Sequence, residues 1–127
     1  MFEIPLENFT FGGWRPTLKF PSLPGGRKVE SAEDYKEWCR IHLDLRLLES
    51  IKKAGRCTEP ISVFLNKSDK KYVIVVGYGR YFVYEKLNEE YPDEGWNKIP
   101  AKIVFEEEPT QRELDEHLMK SQQVRGE

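Results

Sequence analysis

Lys71-Tyr72-Val73-Ile74-Val75-Val76-Gly77-Tyr78-Gly79-Arg80-Tyr81-Phe82-Val83-Tyr84-Glu85-Lys86-Leu87 carries the reading of the fold. Lys71 to Val76 is nearly all β-branched or aromatic, the composition of a strand buried on both faces. Gly77 breaks that strand, and from Arg80 to Leu87 the chain takes on helical character. A buried strand passed through a glycine turn into a helix predicts a sheet with helices packed on it.

Upstream, Pro60-Ile61-Ser62-Val63-Phe64-Leu65 predicts a second strand, and Asn66 to Lys70 supplies turn residues, so the two strands form a hairpin with a longer loop. Ser31, followed by Glu33 and Asp34, starts a helix with acidic side chains in its first turn. Tyr35, Trp38, Cys39, Leu43, Leu47, Leu48 and Ile51 keep roughly helical spacing, as one helix to Ala54 or as two with a break near His42. Gly55 ends it as a C-terminal cap, and Lys36, Glu37, Arg40, Glu49 and Lys52 read as its solvated face. Phe2 to Leu6 predicts a short first strand, which Pro5 places at an edge or an end. Residues 9–28 form a long irregular segment rich in Gly, Pro and aromatics, in which Phe11 and Phe20 read as core cover.

Downstream, Pro92 to Asn97 reads as a loop and Ile99 to Phe105 as a further strand. Glu106-Glu107-Glu108 closes that strand as a solvated acidic turn rather than a metal site. Thr110 and Glu113 make a capping box for a last helix that carries Leu114, Leu118 and Met119 on one side and runs toward Arg125. The fold class expected is α+β, a small mixed β-sheet with packed helices, in a single domain over residues 1–127.

Composition bounds the function. An apolar fraction of 39% and a charged fraction of 33% are those of a soluble globular domain. No run approaches the roughly eighteen apolar residues of a membrane span, and no basic-then-apolar leader opens the chain. Two cysteines, Cys39 and Cys57, are too few for a disulfide framework, which points to a cytoplasmic protein. His42 and His117 lie on different predicted helices, so no metal site is expected. With 20 basic against 22 acidic residues, the net charge is −2, so general phosphate neutralisation cannot hold DNA. Contact with DNA has to come from a local basic face or through a partner protein.

The chemistry is concentrated at Gly77-Tyr78-Gly79-Arg80. Two glycines one residue apart let the backbone turn tightly and bring its amides close to a ligand. The first turn of the following helix offers unpaired N–H groups at the positive end of its dipole, which favours phosphate, sulfate or carboxylate. Arg80 adds a planar fork able to grip two phosphate oxygens. The same residues also suit a tight turn whose arginine pairs with a surface carboxylate.

The order of elements resembles a known family. A helix ending Leu48-Glu49-Ser50-Ile51-Lys52-Lys53-Ala54-Gly55 precedes Pro60-Ile61-Ser62-Val63, the hairpin, Gly77-x-x-Arg80-Tyr81, a helix, and Ile99-Pro100-Ala101-Lys102-Ile103-Val104. Together with Ile4-Pro5-Leu6 and Arg15 at the start, this is similar to the N-terminal domain of ParB-type proteins, which shares its fold with sulfiredoxins. The resemblance implies a nucleotide ligand (CTP, ATP or ADP, with Mg²⁺) held at Gly77, Tyr78, Gly79, Arg80, Gln122 and Arg125. Departures are visible. Where ParB proteins carry Gly-Glu-Arg-Arg, this chain has Tyr78 and Gly79 at the two middle positions, and where they carry Glu-Asn-x-x-Arg it has Ser121-Gln122-Gln123-Val124-Arg125. Tyr78 stands at the catalytic cysteine of sulfiredoxins, so that activity is not expected. ParB proteins continue into a helix-turn-helix domain where this chain stops at Glu127, which implies either a stand-alone member of the kind found on plasmids, viruses and mobile elements or a chain that works with a separate partner.

The function expected is therefore a nucleotide- or phosphate-binding module in a DNA-related process. An enzyme of the same fold, a nuclease or a phosphotransferase with Glu49 as catalytic acid, is the first alternative. A protein-interaction module using the aromatics near Trp14 and Tyr78 is the second, and those two rings would otherwise stack on a base.

Overall fold

The computed structural model describes residues 2–11, 23–57 and 59–125, without the side chains of Leu118 and of residues 121–125. Its elements are β1 (Phe2–Pro5), α1 (Ala32–Ile41), α2 (Leu45–Ala54), β2 (Ile61–Asn66), β3 (Lys71–Val76), α3 (Tyr78–Glu90), β4 (Lys98–Phe105) and α4 (Gln111–Arg125). The strands form one mixed sheet in the order β1-β4-β2-β3. β1 and β3 are antiparallel to their neighbours, while β2 and β4 lie parallel in the centre. The α+β class with a small mixed sheet and packed helices is thus what the chain adopts.

Local chemistry explains the boundaries. Ser31 Oγ accepts from the Asp34 amide at 3.1 Å and starts α1. The continuous helical spacing from Tyr35 to Ile51 resolves into two helices, because the Asp44 carboxylate accepts from the amides of Arg46 and Leu47, at 3.0 and 3.1 Å, and starts α2 afresh. Gly55, at φ +82°, closes α2 by donating to Ile51 O. Thr110 and Glu113 form the expected box, each backbone amide donating to the other's side chain at 3.2 Å.

β2 and β3 pair as a hairpin whose turn is held by Asn66 Oδ1 accepting from Ser68 N and Asp69 Oδ1 accepting from Lys71 N, both at 3.0 Å. β3 is an edge strand, yet Val73, Ile74 and Val75 are all buried. Ile74 belongs to the main core, whereas Val73 and Val75 pack with Phe64, Val104, Phe105 and Leu114 of α4 on the other face. Thr10 N donates to Tyr72 O at 2.9 Å along the outer edge of β3.

α3 lies at the centre of the main core, with Tyr81, Phe82, Val83, Tyr84 and Leu87 buried, and contacts α1, α2, β2 and β4. Phe11 is core cover as expected, its ring lying 5.5 Å from Tyr81 and 5.9 Å from Phe82. Phe20 lies outside the described residues. Among the described residues no helix is long and apolar enough to cross a membrane.

Candidate functional site

The hairpin brings the start of β2 beside the end of β3, pairing Ser62 with Val76, and α3 departs from that same end of the sheet. Gly77 makes the departure. Its backbone sits at φ +117°, ψ 23°, a region L side chains rarely adopt. A Cβ added there would also lie 2.7 Å from Ile61 Cβ and 3.3 Å from Ile61 Cα, so the turn is pressed directly onto β2. α3 accordingly begins at Tyr78, two residues earlier than its apolar pattern suggests.

The N-cap residue of α3, Gly77, has no side chain to cap the first turn, and the earliest helical bond runs from Tyr81 N to Gly77 O at 3.0 Å. The amides of Tyr78, Gly79 and Arg80 precede that bond. Gly79 is exposed, and a Cβ there would meet only Leu47 Cδ2, at an ordinary 3.7 Å. The two glycines therefore differ in kind. Gly77 is required by the backbone, and Gly79 leaves an open approach to the helix end.

Arg80 points toward the chain that leads into β2. Its Nη1 donates to Glu59 O at 3.0 Å and Pro60 O at 3.1 Å, and its Nη2 lies 3.6 Å from Glu59 Oε2. The Arg80 side chain is 9% exposed and that of Glu59 is 74% exposed. Arg80 is thus anchored to protein oxygens in a tight turn with a surface carboxylate as ion-pair partner, one of the two roles its sequence context allows. Glu59 was not marked by the sequence; it lies just before β2, whose start pairs with the end of β3 at Ser62 and Val76.

Tyr78 is half-buried and packs edge-on against Tyr35 at 5.0 Å and beside Phe11 at 6.0 Å. Burial raises its hydroxyl well above the usual tyrosine range, with Tyr35 and Cys39 adding to the effect, so it stays protonated. Burial likewise pushes the Cys39 thiol up to about 11, although the nearby Tyr35 and Arg40 work against it. It behaves as a buried structural thiol.

Glu49 is exposed on α2, on the far side from the inward-facing Leu48 and Ile51. Trp14 lies outside the described residues, as do the side chains of Gln122 and Arg125. No group of three His, Cys, Asp or Glu side chains suited to a metal ion occurs among the described residues. A separate groove of about 420 Å³ opens between α1 and α3, lined by Arg40, Leu43, Phe82, Glu85, Lys86 and Glu89. There Arg40 donates to both Glu85 carboxylate oxygens, at 2.8 and 3.0 Å.

No family, curated protein or solved structure matches the chain.

Proposed function

We propose that the chain is a phosphate- or nucleotide-binding module, of ParB-like type, whose anion site is the first turn of α3. The observation that carries this reading is the start of a thirteen-residue helix at Gly77, a residue with no capping side chain, with Gly79 exposed. Amides of the first turn supply N–H donors, and the anchored Arg80 places a full positive charge at the same end of the helix. Gln122 and Arg125 complete the proposed ligand set by resemblance, and Trp14 the base contact. The ligand class is CTP, ATP or ADP. Mg²⁺ would arrive on the nucleotide's phosphates, since no carboxylate cluster awaits it among the described residues.

Work on DNA, directly or through a partner protein, and a cytoplasmic setting belong to the same proposal and rest on the resemblance. An unpaired Cys39 and Cys57 suit such a compartment. The enzyme alternative receives no support from Glu49, which faces solvent, and the buried hydroxyl of Tyr78 is held protonated.

Isothermal titration of CTP, ATP and ADP, each with and without Mg²⁺, tests the reading. Saturable binding of at least one nucleotide is expected. Gly79→Asp places a carboxylate where the phosphate would sit, and should weaken that binding about ten-fold or more while leaving the helix end at least as stable. Absence of binding by every nucleotide, or equal binding by the Gly79→Asp variant, would overturn it.

A further inference from the structure

We draw no further inference here: the strongest candidate, the groove of about 420 Å³ between α1 and α3, has Arg40 already bound to Glu85 and Lys86 paired with Glu90, and nothing in the structure shows what covers it.

Discussion

Replacing Gly77 with alanine should destabilise the chain severely, while the same change at Gly79, two residues on, should stabilise it. At position 77 two costs combine. The backbone at φ +117° lies far outside the right-handed region, and holding a non-glycine residue there costs about 1–3 kcal/mol. The new methyl would also approach Ile61 Cβ to 2.7 Å, and forcing the strand and helix apart adds about 1–3 kcal/mol. The sum is about 2–6 kcal/mol, a large share of the roughly 5–15 kcal/mol that holds a domain folded. At Gly79 the backbone is helical and the nearest atom, Leu47 Cδ2, is 3.7 Å away, so alanine should add about 0.5–1 kcal/mol of stability. Urea unfolding followed by tryptophan fluorescence and by circular dichroism gives both numbers. A loss under about 1 kcal/mol for Gly77→Ala, or a greater loss for Gly79→Ala than for Gly77→Ala, would refute the assignment of the turn.

Further outcomes follow from the same geometry. Arg80→Met removes two charge-assisted bonds to the Glu59 and Pro60 carbonyls and should cost about 2–4 kcal/mol in urea unfolding, with Arg80→Lys losing less. Tyr84→Phe deletes the buried hydroxyl that accepts from Cys57 N at 2.6 Å; a cost of about 1–2 kcal/mol and faster hydrogen exchange at the Cys57 amide are expected. Stability should fall as pH rises. The Cys39 thiol is held up at about 11 and Tyr81 at about 12, so above pH 9 the unfolded chain releases protons that the folded chain retains, and the loss proceeds from about pH 9 to about pH 12. Urea midpoints at pH 8 and 10.5 measure it, Cys39→Ala should shallow the slope, and an unchanged midpoint would contradict the burial of these groups.

Much of the architecture was legible because it is written in local chemistry. Ser31, Gly55, Thr110 and Glu113 act on atoms within four residues of themselves, and the β-branched run at Val73–Val76 announces a strand whatever its neighbours. The break between α1 and α2 was harder, since apolar spacing continues across it and only the Asp44 carboxylate decides the restart. The site was legible to a lesser degree. Gly77 could be marked as a turn, but its contact with Ile61 comes from sheet packing, and sequence spacing holds no record of it. Arg80 could be marked as a phosphate grip or as a structural partner, and the choice depends on two carbonyls about twenty residues upstream. Backbone oxygens are present at every residue, so no side-chain pattern could reveal which ones it meets.

Arg80 and Tyr84 stand one helical turn apart on α3, and both reach back to the segment before β2, at Glu59–Pro60 and at Cys57. These bonds couple that segment to α3. The link from α2 into β2 gains its anchors only after α3 has wound, although α3 comes later in the chain. Residues 57–87 then close on themselves through a short hairpin and a glycine turn, with little loop entropy to overcome, and form a natural early kernel. Amides in β2, β3 and the first half of α3 should accordingly be the last to exchange with solvent.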